Sequence, residues 1–145
     1  MPAKDPKEPL DLDTPDEQAS RALFLGILHR TVGEYAVSRI FLDEAVSRKS
    51  QIIEDTWIIP TAVFELATLD LREVETEVGQ KTHGDDGGQP RPDAKKRWES
   101  ALNVALGRLD SVSSLVANTD LSSRLESRVA MLRDEIGHKK ASLGL

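Results

Sequence analysis

Apolar residues recur at intervals of three and four positions along most of the chain, and no stretch alternates apolar and polar residues for long enough to suggest a β-strand. Intervals of three and four place the apolar side chains on one face of an α-helix. The pattern predicts five helices, at about residues 15–31, 34–50, 57–78, 93–116 and 121–137. We therefore expect an all-α fold.

Residues typical of helix ends support this division. Thr14 offers a capping hydroxyl, Pro15 fits the first helical position, and Glu17 follows the cap by three residues. Gly33 supplies a turn between the first two helices, which are predicted to form a hairpin. Pro60 suits the first turn of the third helix, because the N–H that proline lacks has no intrahelical partner there.

Three segments lack the helical pattern. Residues 1–13 carry three prolines among alternating charges and are predicted to be a disordered arm. Residues 79–92 are rich in glycine, proline and aspartate, which is typical of a flexible loop. Residues 141–145 are predicted to be a tail, so that the helical domain spans 14–140.

The first helix carries a run, residues 22–28, that is apolar on nearly all sides. The arm before it has only Leu10 and Leu12 as large apolar residues and covers little surface. We therefore predict an exposed apolar patch beside this helix, of the kind that marks a partner site. A further repeat, a second copy or a ligand helix would fill it. The alternative is a self-contained bundle in which the fifth helix buries the run.

Composition and charge exclude several kinds of function. The chain has no cysteine, which rules out disulfides, thiolate metal sites and cysteine nucleophiles. Its formal net charge of −6 disfavours nucleic acid as a partner. No apolar run approaches the roughly 20 residues that cross a bilayer, and the first residues lack a secretory signal. We expect a cytoplasmic protein, with the nucleus or an organelle surface as alternatives, and no transmembrane segment.

Candidate catalytic and metal-binding residues are few. His29, His83 and His138 are far apart and show no His-x-x-x-His spacing, so no metal site is predicted, and His29 is expected to be structural. Asp85 and Asp86 lack the alternating oxygen ligands of a calcium loop. No phosphate-binding loop or nucleophile elbow occurs. The sequence predicts neither an enzyme nor a cofactor.

The first hairpin resembles a tetratricopeptide repeat. Leu25 and Gly26 stand where that repeat has its Leu-Gly pair, and Tyr35 stands at the aromatic position after the turn. Ala45 matches the small residue at the close contact between the two helices. The hairpin departs from the pattern at Ala22, where the repeat has an aromatic residue.

A degenerate second copy is indicated further along the chain. Leu66-Ala67 replaces the Leu-Gly pair, and Trp98 and Ala101 stand at the later positions, after the insertion at 79–92. The segment 57–66, together with 121–129, resembles the carboxy-terminal part of the tetratricopeptide repeat protein 39 family, which includes the fungal inclusion-body-clearance proteins. Members of that family are much longer than this chain.

The resemblance implies a non-catalytic protein–protein interaction scaffold, linked in that family to protein aggregates and lipid droplets. It implies a partner-binding groove lined by the first helix of each hairpin, at Leu23, Ile27, Arg30, Phe64, Thr68 and Arg72. Tetratricopeptide domains that bind the carboxylate of chaperone tails need lysine and asparagine in such a groove, whereas Leu23 and Ile27 are apolar. This difference favours an apolar helix-in-groove contact or self-packing. The expected partners are a protein, further helical repeats or a second copy. The alternative function is a self-contained or oligomerising structural bundle.

Overall fold

A computed structural model describes residues 14–81, 91–117 and 122–145. These residues contain five α-helices and a short 3-10 helix at Lys49–Gln51, and no β-strand occurs among them. The α-helices are α1 (Pro15–Thr31), α2 (Tyr35–Ser47), α3 (Ile58–Lys81), α4 (Pro92–Val116) and α5 (Ser122–Leu143). The all-α class is thereby confirmed. The predicted arm at 1–13 lies outside the described residues.

The helix bounds agree with the prediction at α1 and α4 and differ elsewhere. The 3-10 helix replaces the last predicted turn of α2. α3 continues through Gly79 to Lys81, so the first residues of the predicted 79–92 loop are helical, and residues 82–90 lie outside the described part of the chain. α5 runs past Gly137 to Leu143, so most of the predicted tail is helical.

The end of α5 is set by Gly144 rather than by Gly137. Gly144 adopts a left-handed conformation with φ 75°, and its N–H donates to the carbonyl oxygen of Ala141 at 3.2 Å. The N–H of Leu145 donates to the carbonyl oxygen of Lys140 at 2.9 Å. This pair of bonds is a Schellman motif, which satisfies carbonyls that the helix end would leave unpaired.

The chain divides into two compact units, residues 1–62 and 63–145, and the division falls within α3. In the first unit, the hydroxyl of Thr14 accepts the N–H of Glu17 at 3.1 Å and caps α1. Gly33 has φ 86° and ends α1, and the N–H of Glu34 donates to the carbonyl oxygen of His29 at 2.8 Å. The predicted turn between α1 and α2 is confirmed.

Gly26 allows α1 and α2 to approach each other closely. A Cβ atom at this position would lie 2.5 Å from Cδ2 of Leu42, which is fully buried. The buried hydroxyl of Ser38 donates to the carbonyl oxygen of Gly26 at 2.6 Å. Ala45, one turn beyond Leu42, is also fully buried. The inner faces of the hairpin are therefore filled by the hairpin's own side chains.

Asp16, in the first turn of α1, holds the segment that leads to α3. Its carboxylate accepts three backbone N–H groups, from Ile53 at 3.0 Å and from Glu54 and Asp55 at 2.9 Å each. These three bonds hold the pKa of Asp16 below its ordinary value, and the bond from the N–H of Asp55 lowers it most. We call these three hydrogen bonds the clamp of Asp16, and they fix the backbone just before Trp57.

The second unit is built from α4, α5 and most of α3, and polar side-chain contacts join each pair of helices. They are Asp70–Arg108 (2.8 Å) and Glu77–Arg97 (3.1 Å) between α3 and α4, Glu65–Arg128 (3.2 Å) and Arg72–Glu135 (2.9 Å) between α3 and α5, and Asn103–Lys140 (3.1 Å) and Asp110–Arg133 (2.8 Å) between α4 and α5. Residue numbers rise together along α3 and α5 and in opposite directions in the other two pairs. The three helices thus run up, down and up.

The interior of the second unit follows the spacing that predicted its helices. Its buried apolar residues on α4 and α5 are Trp98, Ala101, Leu102, Ala105, Leu109, Val112, Val116, Leu125, Val129, Leu132, Ile136 and Leu143. They recur at three and four positions, so each helix turns one apolar face inward. Among the described residues, no helix combines the length and the apolar character that a membrane span requires.

Candidate functional site: an apolar surface on the first hairpin

Three of the six residues expected to line a groove are buried. Leu23 is 0% exposed, Phe64 is 4% exposed and Thr68 is 9% exposed. Leu23 lies on the face of α1 that also carries Ala19 and Gly26, both buried. These three side chains are buried in the described structure, and the groove that the tetratricopeptide pattern implies stays a prediction.

The other three groove residues are half-buried. Ile27 and Arg30 lie with Leu23 along one side of α1, in the first unit. Arg72 belongs to the second unit, where its guanidinium binds Glu135 at 2.9 Å and Glu75 at 3.0 Å. The hydrogen bond that Arg72 donates to Glu135 is the largest influence on the pKa of Arg72 and raises it. Arg72 therefore serves to connect α3 and α5.

Exposed large apolar side chains are concentrated on the first hairpin. In the described part of the chain nine such residues are exposed, and five of them fall within the 17 positions from 24 to 40. We call these five the hairpin patch: Phe24 (54% exposed), Leu28 (60%), Val32 (69%), Val37 (38%) and Ile40 (67%). This concentration confirms the predicted exposed apolar surface beside the first helix.

The α1 part of the hairpin patch is a stripe along the outer face of the helix. Phe24, Leu28 and Val32 are four positions apart, so their side chains follow one another up the same side. Leu23, one residue before the stripe begins, points into the interior. Part of the run 22–28 is therefore buried in the interior, and the rest is exposed on the outer face of α1.

A pair of stacked rings joins α1 to α2. The rings of His29 and Phe41 lie 5.4 Å apart with an interplanar angle of 14°. On α2, Val37 precedes Phe41 by one turn and Ile40 is its neighbour, and on α1, Leu28 is the neighbour of His29. Val37 therefore lies on the same side of α2 as Phe41, whereas Leu28 and Ile40 each lie about 100° around their helix from the stacked rings.

His29 has the structural environment that the sequence led us to expect. Besides stacking on Phe41, its Nδ1 atom lies 2.6 Å from Oε1 of Glu34, just beyond the turn. The contact with Glu34 ties the end of α1 to the start of α2, and the stack ties it to the middle of α2.

Trp57 extends the surface beyond Phe24. The centres of the two rings are 6.4 Å apart, at a tilted angle of 45°, and Trp57 is half-buried. Ile53, which is 80% exposed, lies in the segment that the Asp16 carboxylate holds. The sequence did not predict where this segment lies, because the hydrogen bonds of Asp16 connect residues 37 to 39 positions apart.

The described residues contain no group of three or more histidine, aspartate or glutamate side chains placed to hold a metal ion. Comparisons with protein-family models, with curated proteins and with solved structures find no match to the chain. The hairpin patch is thus defined by the chain's own geometry.

Proposed function

We propose that the chain is a non-catalytic protein–protein interaction module whose partner binds to the hairpin patch. The observation that carries this proposal is the placement of five exposed apolar residues on a hairpin whose inner faces are already filled. Exposed apolar side chains concentrated on one hairpin of a protein of net charge −6 are typical of a partner site.

The partner that fits the hairpin patch best is an amphipathic helix of another protein. The stripe formed by Phe24, Leu28 and Val32 is a ridge with a four-residue period, and such ridges pack into the grooves between side chains of a second helix. Helices that dock in this way present apolar residues three and four positions apart. Binding would bury rings and branched side chains that water now surrounds.

The tetratricopeptide resemblance supports the same role. The Leu-Gly pair provides Gly26, where α1 and α2 approach closely, and Ala45 is buried on α2 as that resemblance implies. We extend the proposal to a scaffold that combines with further helical repeats. A role in handling protein aggregates or lipid droplets, in the cytoplasm, would follow from the resemblance to the tetratricopeptide repeat protein 39 family.

Self-association is the second candidate function, and the order of residues along α1 favours it. When two copies of α1 pack antiparallel about a two-fold axis at the level of Gly26, Phe24 of each copy lies opposite Leu28 of the other. The larger side chain then meets the smaller one at both ends of the contact.

The proposal is tested with the double variant Phe24→Asp, Leu28→Asp. Both residues are more than half exposed, so we expect the variant to fold. The matched control is Val104→Asp, Met131→Asp, which places two aspartates at exposed apolar positions of the second unit. Proteins captured by the parent and the control, but not by the patch variant, are then purified and their affinity is measured by calorimetry.

We expect the patch variant to lose at least tenfold in affinity for such a partner, since two buried charges cost well over 1.4 kcal/mol. Sedimentation equilibrium on the three proteins tests the second candidate. A dimer in the parent and control that becomes a monomer in the patch variant would show self-association. Equal partner affinity and equal mass in all three proteins would contradict both functions.

A further inference from the structure

A cavity of about 280 Å³ lies within the second unit, where α3, α4 and α5 meet. Its apolar walls include Leu71, Trp98 and Ile136, one from each helix, and all three are buried. Charged side chains of Glu75, Glu135 and Lys139 also line it. An apolar cavity with a few charged groups is the usual form of a small-molecule site.

The cavity already holds a cation that belongs to the chain. The ammonium group of Lys139 lies 4.2 Å from the centre of the Trp98 ring. The face of an indole ring is electron-rich and attracts ammonium groups. Because a lysine head is carried on a flexible four-carbon stem, it can leave the ring for solvent without any movement of α5.

The charges around the cavity favour a cation over an anion as its ligand. Glu75 and Glu135 line it, and Arg72, outside the lining, binds both carboxylates at 3.0 Å and 2.9 Å. The formal charges of Glu75, Glu135, Arg72 and Lys139 sum to zero. When a ligand cation takes the place of the lysine ammonium, the net charge around the cavity stays zero. An anion would instead lie beside two carboxylates, which would repel it.

We propose that this cavity binds a small organic cation with an apolar body. The ammonium group of the ligand replaces Nζ of Lys139 over the Trp98 ring, and its apolar body contacts Leu71 and Ile136. The cavity is slightly below the roughly 300–1,000 Å³ of drug-sized sites. A ligand the size of phenyltrimethylammonium therefore suits it. This binding activity is separate from the interaction role of the hairpin patch.

The experiment is a titration of the full chain with phenyltrimethylammonium, followed by the indole N–H signals in ¹H–¹⁵N NMR spectra. The chain has two tryptophans, so the signal of Trp57 is an internal control for that of Trp98. The Trp57→Phe variant assigns the two signals. We expect a saturable shift of the Trp98 signal, none for Trp57, and no saturable shift when benzoate or benzyl alcohol replaces the cation.

The decisive variants are Lys139→Gln and its control Lys140→Gln, which change the net charge equally. Lys140 donates to Asn103 at 3.1 Å and does not line the cavity. Lys139→Gln removes the internal competitor, so we expect it to tighten binding of phenyltrimethylammonium about threefold. We expect Lys140→Gln to bind like the parent. Glu135→Gln should weaken binding.

Three results would overturn the proposal. One is the absence of a saturable shift of the Trp98 signal in the parent. Another is weaker binding in Lys139→Gln than in the parent, and the third is an equal change in both lysine variants. Thermal unfolding followed by circular dichroism confirms that each variant is folded, and Trp98→Leu is added where it passes this check, with loss of binding as its expected result.

Discussion

Gly26 determines the spacing of α1 and α2, and a side chain at this position has to displace Leu42. We expect Gly26→Ala to destabilise the protein, because overpacking of about 1–3 kcal/mol outweighs the roughly 1 kcal/mol that alanine contributes to a helix. The control is Gly107→Ala in α4, where an added Cβ meets nothing within 4 Å, so only the helix-forming gain applies. Urea unfolding of both variants measures the difference. Equal stabilisation of the two would contradict the close approach.

The carboxylate of Asp16 makes the stability of the first unit dependent on pH. Its pKa in the folded protein lies below that of the unfolded chain, about 3.9, because three backbone N–H groups bind the charged form. The stabilisation is therefore complete above that value and is lost as the pH falls through the lowered pKa. We expect Asp16→Asn to be less stable than the parent at pH 7, with a gap that shrinks below about pH 4.

Unfolding of the parent and of Asp16→Asn by urea between pH 7 and pH 2 measures this gap. Glu17→Gln is the control, since the neighbouring carboxylate is exposed and has the same charge. A gap for Asp16→Asn that is constant over the whole range would show that the charged form is not what the backbone N–H groups bind.

Between elements, paired charges fix how α3 and α5 align. Glu65 pairs with Arg128 and Arg72 with Glu135, so the contacts recur seven residues apart on both helices. The Glu65 side chain is buried, and Arg128 also lies 4.5 Å from the centre of the Phe64 ring. Because the two pairs share one spacing, a shift of α5 by one turn would break both.

We expect Arg128→Leu to destabilise the second unit by up to about 3 kcal/mol, because it removes one ion-pair partner of a buried carboxylate. Arg133→Leu is the control on the same helix. Its partner Asp110 is exposed, so its loss should cost at most about 1 kcal/mol. Thermal unfolding of the two variants compares these costs. Equal losses would show that Glu65 does not depend on Arg128.

The ends of helices could be predicted where the sequence carries a residue typical of a helix end. Thr14 and Pro15 stand at the start of α1, and this helix begins where these residues indicate. The end of α5 was missed because two glycines compete for it. Gly137 lies within the helix, and Gly144 ends it because Leu143 is buried and holds the last turn, which spacing alone does not reveal.

For the molecule as a whole, the exposed apolar residues on α1 could be predicted from the sequence, whereas the burial of particular positions could not. An apolar run wider than one helix face must expose some of its residues, and Phe24 and Leu28 are exposed. The family pattern assigned Leu23 and Phe64 to a groove by position, yet burial depends on contacts between distant residues. The clamp of Asp16 on Ile53 arises from such contacts too.

The central claim is that the hairpin patch is open to a partner, and binding of a hydrophobic dye to the purified chain tests it most directly. The dye is titrated into the parent, into Phe24→Asp, Leu28→Asp, and into Val104→Asp, Met131→Asp. We predict strong dye fluorescence with the parent and with the last variant, and a large loss with the first. No dye binding by the parent, or equal binding by all three proteins, would contradict the claim.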